Sequence, residues 1–251
     1  MAVLDIRWLR DMFIDFDKIS KPVMGIADWD DAACVDFAGK RLVISCDGPY
    51  KKRLVMKSAL IHASTDVVTK GARPLFALDT LSGTKKDVKE MALSLKLQGM
   101  AMGIPIIGGN TNLWGEPTAS IFVAGELLVD EPIRHSTGWR GDKLLLLGDP
   151  IWGEQGERVD KAKKLFSCWY ELLDKKVKIH AAKDVTKGGL ANTAKEIASH
   201  SGTDFELFDI KIHKYRNLDN FLISADAKGA ENIGKTALKF DCPCIEVGRL
   251  I

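Results

Sequence analysis

Apolar and polar positions change their spacing repeatedly along this chain, and each change marks a predicted element. Residues 6–16 carry apolar side chains at helical spacing and stop before Ser20-Lys21-Pro22, which predicts one amphipathic helix. Cys34-Val35-Asp36-Phe37 and Arg41-Leu42-Val43-Ile44-Ser45-Cys46-Asp47 read as two short strands about a turn at Ala38-Gly39-Lys40, a hairpin. Apolar residues at 56, 59, 60, 63 and 67 return to a helical period, and Gly71 closes a helix over 56–69. A strand over 74–81, a helix over 87–102 stopped by Gly103, a buried strand over 104–107 and a longer strand over 118–129 follow. This β-β-α-β-α-β-β order predicts a sheet with helices packed on one face.

Residues 131–141 are polar and turn-rich, and they divide an expected first domain (1–135) from a second (136–251). The second restarts with the buried run Leu144-Leu145-Leu146-Leu147 and continues with a helix over 160–173. Gly188-Gly189 opens a further helix reaching about 199; strands over 204–208, 220–225 and 244–247 flank a helix over 230–240. The expectation is an α/β chain in two lobes, without internal repeats.

Composition narrows the function classes. The chain has 251 residues, 46% hydrophobic and 28% charged, with a formal net charge of +2. That is ordinary for a globular protein and gives no bulk attraction to nucleic acid. No apolar run reaches the ~20 residues of a membrane helix, and the first residues lack a basic-then-apolar leader, so a cytoplasmic protein is expected. Five cysteines at 34, 46, 168, 242 and 244 are an odd number and read as reduced thiols; Cys242-Pro243-Cys244 lacks a second ligand pair for zinc. No two of the five histidines have His-x-x-x-His spacing. One skew stands out: 23 Asp against 11 Glu, with no Glu before Glu90.

Those aspartates are where chemistry is expected. Asp30-Asp31, Asp47 after Ser45-Cys46, and Asp184 before Val185-Thr186-Lys187-Gly188-Gly189 end predicted elements, while Asp66 lies within a helix and Asp79 closes a strand. Any one of them suits a cap or turn. Midhelix Asp66 and the doubled Asp30-Asp31 fit that reading less well. Asp residues from separate segments suit magnesium, which takes hard oxygen ligands and keeps substrate phosphates in its shell. Gly108-Gly109-Asn110-Thr111 follows a strand, so its backbone could approach a phosphate. Thr186 and Lys187 precede a helix N-terminus, which favours an anion. Walker A and Gly-x-Gly-x-x-Gly patterns are absent, which argues against P-loop and dinucleotide-binding enzymes.

Together these segments resemble a known superfamily. Gly25-Ile26-Ala27-Asp28-Trp29-Asp30-Asp31-Ala32-Ala33 is similar to the Gly-Asp-Asp-Ala-Ala segment of the aminoimidazole ribonucleotide (AIR) synthetase, or PurM-like, superfamily. Its other branches are thiamine-monophosphate kinase, selenophosphate synthetase and the hydrogenase-maturation protein HypE. Ser64-Thr65-Asp66-Val67-Val68-Thr69-Lys70-Gly71-Ala72-Arg73-Pro74 resembles its Asn-Asp-Ile-x-x-x-Gly-Ala-x-Pro segment, and Ile107-Gly108-Gly109-Asn110-Thr111 its Gly-Gly-Asp-Thr loop. Asp184-Val185-Thr186-Lys187-Gly188-Gly189-Leu190 is similar to the Asp-Pro-Thr-Arg-Gly-Gly of HypE and the Asp-Val-Thr of selenophosphate synthetase, and Ile245-Glu246-Val247-Gly248-Arg249 fits the closing segment. The resemblance implies a two-lobed α/β fold, a homodimer pairing through first-lobe sheets, and ATP with magnesium between the lobes. It further implies metal ligation by Asp30, Ser45, Asp47, Asp66 and Asp184, with Asp47, Asp66 and Asp184 the catalytic members. Gly108, Gly109, Asn110, Thr111, Arg134, Thr186 and Lys187 would then meet the nucleotide.

The departures shape the functional expectation. Asn110 replaces an acid, Trp29 a glycine and Lys187 an aspartate, and Leu54 stands where the kinase branch has a substrate-contacting histidine. A Gly-rich arm with Cys and Lys is missing, the chain stops at Arg249-Leu250-Ile251 without a Cys-ending tail, and the second lobe is short by family standards. The leading expectation is an ATP- and magnesium-dependent phosphotransferase or synthase acting on a small acceptor, which Lys51-Lys52-Arg53 could meet if it is anionic. The alternatives are a nucleotide-binding regulator without turnover and a maturation factor acting on a protein.

Overall fold

The computed structural model describes residues 7–251. The start of the expected first helix lies outside them. The rest of it is broken into α1 (Arg7–Phe13) and α2 (Phe16–Ser20), because the chain turns so that Asp17 can accept from the backbone N–H groups of Ile26 and Ala27. The hairpin is present as β1 (Ala33–Phe37) and β2 (Lys40–Lys51), with Ala38 and Gly39 both left-handed. That backbone matches the twist of two-residue hairpin turns. The helix expected over 56–69 is α4 (Ala59–Thr69), which begins three residues later, and a short helix that the spacing did not predict, α3 (Lys52–Val55), precedes it. β3 (Ala72–Ser82), α5 (Lys85–Met102), β4 (Ile106–Asn112) and β5 (Thr118–Leu127) complete the first lobe. Its sheet runs β1-β2-β5-β3-β4, antiparallel except where α5 carries the chain over from β3 to parallel β4. Gly108 and Gly109, expected from sequence to follow a strand, lie within β4 itself.

The second lobe contains β6 (Lys143–Leu147), α6 (Gln155–Asp174), β7 (Ala181–Asp184), α7 (Gly189–His200), β8 (Phe205–Leu207), β9 (Phe221–Ala225), α8 (Ala227–Lys239) and β10 (Cys244–Leu250). Strand β7 was not predicted from the pattern, since Ala-Ala-Lys-Asp has neither alternation nor branched residues. The antiparallel order is β7-β9-β6-β10-β8. The leucine run of β6 is explained by helices on both faces: Leu145 and Leu147 pack with α6 and α8, and Leu144 and Leu146 with α7.

Helix α4 joins the lobes. Ala59, Leu60, Ala63 and Val67 enter the first core, while Ile61 and Val68 enter the second, where Trp169 Nε1 donates to Val68 O at 2.6 Å. A helix apolar all round is a buried helix. Each buried leucine, isoleucine or valine side chain of α4 contributes about 1.5–3 kcal/mol on leaving water. Among the described residues, Asp66 is the one member of α4 that is not buried, and it faces the site between the lobes.

Candidate functional site

Four segments deliver carboxylates to the inner edge of both sheets. Asp30 and Asp31 follow a 3-10 turn (Ile26–Asp28) and lead into β1. The turn closes on Trp29, whose φ of 51° is left-handed, which is why a glycine suits this position. Asp47 sits at an irregularity in the β2–β5 register between Asp47 and Tyr50, where a bulge re-aims its side chain. Asp66 comes from α4, and Asp184 ends β7.

One carboxylate oxygen from each of Asp31, Asp66 and Asp184 lies within 4.8 Å of the others. Ser45 Oγ donates to Asp66 at 2.9 Å, and Thr65 Oγ1 donates to Asp184 at 2.7 Å. Among the described residues, Asp31 Oδ2 and Asp184 Oδ1 are buried without hydrogen-bond partners. Lys70 Nζ lies 3.7 Å from that Asp31 oxygen, and a cation at the trio would offset the cost of burying the Asp184 oxygen without a partner. Burial, with Asp184, Asp31 and Asp47 nearby, pushes the Asp66 carboxyl well above its ordinary range; burial and Asp31 push Asp184 up to about 6. Three convergent hard oxygens fit magnesium.

Asp30 is placed differently. Its buried carboxylate pairs with Lys70 Nζ at 2.6 Å and His135 Nδ1 at 3.1 Å, and it accepts from the His135 backbone N–H at 3.0 Å. Burial works against its charge, but Lys70 and His135 hold its pKa far below the usual carboxylate range. Lys70 also donates to Ala182 O at 3.1 Å, tying α4's end to β7. Asp31 accepts from Lys183, which overcomes burial and keeps the acid ionised.

Asp47 adjoins the trio through His62. His62 Nε2 is 3.5 Å from Asp47 Oδ2, and His62 Nδ1 is 2.6 Å from Asp219 Oδ1. Burial alone would lower the imidazole's pKa, but Asp219, Asp184 and Asp47 raise it to about 10. Asp47 also accepts from the Tyr50 hydroxyl and, at 2.7 Å, from the Gly48 N–H.

Of the residues expected from sequence, Ser45, Asp66 and Asp184 meet directly, Asp47 borders them, and Asp31 rather than Asp30 joins the trio. Thr186 and Lys187 form the loop between Asp184 and α7. Gly108, Gly109, Asn110 and Thr111 lie on exposed β4. A row of paired residues, Asp47–Ile121–Asp79–Gly109, crosses the sheet to reach them, three strand spacings or roughly 14 Å. Arg134 is engaged by Asp28 Oδ1 at 3.2 Å and by Val23 O. In the run Lys51-Lys52-Arg53, Lys52 pairs with Asp87 and Glu90. His62, Thr65, Lys70, His135, Lys183 and Asp219 were not anticipated. His62 and Thr65 had a signal, lying one turn before and immediately before Asp66, as did Lys183, beside Asp184. Asp219 had none.

Two α/β lobes sharing a buried helix, with acids from both converging at the seam, define a class of two-domain proteins with a site at the lobe boundary. Residues 29–127 match the N-terminal domain of AIR synthase related protein, and residues 121–250 match its C-terminal domain. The chain belongs to this PurM-like, AIR synthase-related family. It is 35% identical to the uncharacterized protein MJ0799 of Methanocaldococcus jannaschii, over 99% of this chain and 85% of that one. It is 22% identical to the phosphoribosylformylglycinamidine synthase subunit PurL of Saccharolobus islandicus, matching 97% of this chain but spanning 40% of the relative. Among solved structures it resembles Thermotoga maritima PurL complexed with ATP (TM-score 0.74, 16% identity, 88% of this chain and 42% of that one). It also resembles the hydrogenase maturation protein HypE (TM-score 0.68, 19% identity, 88% and 83%). Among the described residues no helix is long and apolar enough to cross a membrane.

Proposed function

We propose that this protein is an ATP- and magnesium-dependent phosphotransferase or ATP-activating synthase that acts on a small acceptor. The observation that carries the reading is the trio Asp31, Asp66 and Asp184 at the lobe seam, with a buried oxygen that accepts no hydrogen bond on Asp31 and on Asp184. That PurL, a structural neighbour, has been solved with ATP, ADP and AMPPCP supports a nucleotide as the other ligand. Magnesium, when bound, would neutralise phosphate charge and orient the phosphates for in-line transfer. Asp31, Asp66 and Asp184 would hold it with Ser45, and Asp47 would take a second position beside His62. Asp30 would keep Lys70 and His135 in place. Thr186, Lys187 and the N-terminus of α7 would receive phosphate oxygens next to Asp184. Gly108, Gly109, Asn110 and Thr111 would line the far end of the phosphate path, and Arg134 would contact the nucleotide on leaving Asp28.

A homodimer in the cytoplasm belongs to the same proposal. Helices α4 and α5 cover one face of the first sheet, whereas Phe122, opposite Cys46 and Leu78, lies half-buried on the other. A second copy laid on that face would cover these side chains. Among the described residues all five cysteines are free, which suits a reducing compartment.

Magnesium-dependent ATP binding, measured by titration calorimetry, is expected to fall at least a hundredfold in Asp66→Asn and in Asp184→Asn. Unchanged affinity in both would remove the assignment. A second reading, a maturation factor acting on a protein, is favoured by the likeness to HypE across 83% of that chain. Stoichiometric co-purification of a partner protein, without ADP formation on small acceptors, would select it.

A further inference from the structure

Asp31 has two duties that a divalent cation would set against each other. Its Oδ2 is buried without a hydrogen bond, with Lys70 Nζ 3.7 Å and His135 Nδ1 3.9 Å away, in a carboxylate that shares the trio with Asp66 and Asp184, while its Oδ1 accepts from Lys183 Nζ. Lys183 reaches across from β7, and its side chain is 7% exposed. The same ammonium lies 3.5 Å from Glu196 Oε2 on α7. Asn192, one turn earlier on that helix, donates from Nδ2 to Glu196 Oε1 at 2.7 Å, which leaves Oε2 turned toward Lys183. Glu196 is not among the residues close enough to Asp31 to share one ion with it.

We infer that Lys183 is a tethered counter-ion that competes with a divalent cation for the Asp31 arm of the trio and passes to Glu196 when the cation takes that arm. The inference rests on the metal-site reading above. Lys183 on Oδ1 and Lys70 3.7 Å from Oδ2 already share this carboxylate, so a divalent cation beside them adds strong repulsion in a water-poor setting, and Lys183, with Glu196 in reach, is the ammonium that gives way. A buried ammonium without a counter-charge is costly, and Glu196 removes that cost. The move is short: shrinking 3.5 Å to a charge-assisted bond of about 2.8 Å takes less than one ångström. Lys183 thus sets how tightly the trio binds a cation, and Glu196 sets how readily Lys183 yields.

The test is Mn²⁺ binding to the purified protein without nucleotide, followed by titration calorimetry and by electron paramagnetic resonance of free Mn²⁺. Lys183→Met should tighten binding at least tenfold, while Lys183→Arg, which keeps the charge, should not. Glu196→Gln should weaken binding about tenfold in the natural background and hardly at all in the Lys183→Met background. Unchanged or weaker binding in Lys183→Met would overturn the inference, as would a Glu196→Gln effect that persists without Lys183. Glu196→Gln leaves the Lys183–Asp31 pair intact, so it tests the idea even if Lys183→Met does not fold. Asp66→Asn separates the two levels: if it leaves Mn²⁺ affinity unaltered in both backgrounds, the metal-site reading itself fails.

Discussion

At the scale of single residues, Lys70 is held closely from both lobes. It is fully buried, its ammonium is 2.6 Å from Asp30, and it also reaches Ala182 O in the other lobe. Removing one partner of such a pair leaves an uncompensated interior charge, which costs about 3–5 kcal/mol. Lys70→Met is therefore expected to lower the unfolding free energy in urea by about that amount; a loss below ~1 kcal/mol would contradict the interior pairing. The doubled Asp30-Asp31 was legible in the sequence as unusual, but the division of labour between its members was not. Both acids meet a lysine, and which of them joins the trio depends on where Lys70 and Lys183 arrive, 40 residues beyond Asp30 in one case and 152 beyond Asp31 in the other. Asp219 was invisible for the same reason: its partner His62 is 157 residues away.

At the scale of elements, hydrophobic spacing located most helices and strands and misjudged those whose reasons are tertiary. The break after Phe13 and the start of α4 at Ala59 rather than 56 have no proline or glycine to announce them. Strand β7 is short and weakly patterned, and it exists because it pairs with β9. Gly108-Gly109 looked like a turn because glycine is rare inside strands, yet the need for Gly109 is spatial. A Cβ there would lie 2.2 Å from Asp79 O across the parallel β3–β4 pairing. Gly109→Ala should therefore destabilise the protein by about 1–3 kcal/mol through overpacking and should unprotect the amides of β4 in hydrogen exchange. At Gly156, whose Cβ would meet nothing within 4 Å, alanine should be tolerated. Equal melting temperatures for the two variants would argue against the tight β3–β4 contact.

At the scale of the whole molecule, the two lobes and their order were legible because four motifs span them. The electrostatic state of the seam was not, since a net charge of +2 says nothing about acids gathered at one place. That gathering has a pH signature. Asp184 titrates at about 6 in the fold against an ordinary value of 3.8. Between those values the native chain holds a proton that the unfolded chain has lost. The group's contribution to stability thus falls as pH rises from about 4 to about 6 and stays reduced above that. Magnesium would offset the deficit where the acids are ionised and compete with the proton where they are not. Adding magnesium should raise the melting temperature by several degrees at pH 8 and by much less at pH 5. Equal shifts at both values would mean that the ion binds elsewhere.

Because α4 supplies side chains to both cores, neither lobe owns a complete interior. A gene cut between the sheets would leave one product with Ile61 and Val68 uncovered and the other with a missing wall. The heritable unit is therefore the pair of lobes. A longer polypeptide that takes up this architecture must take both together, and the match to PurL, which runs through 97% of this chain within a much longer subunit, has that form.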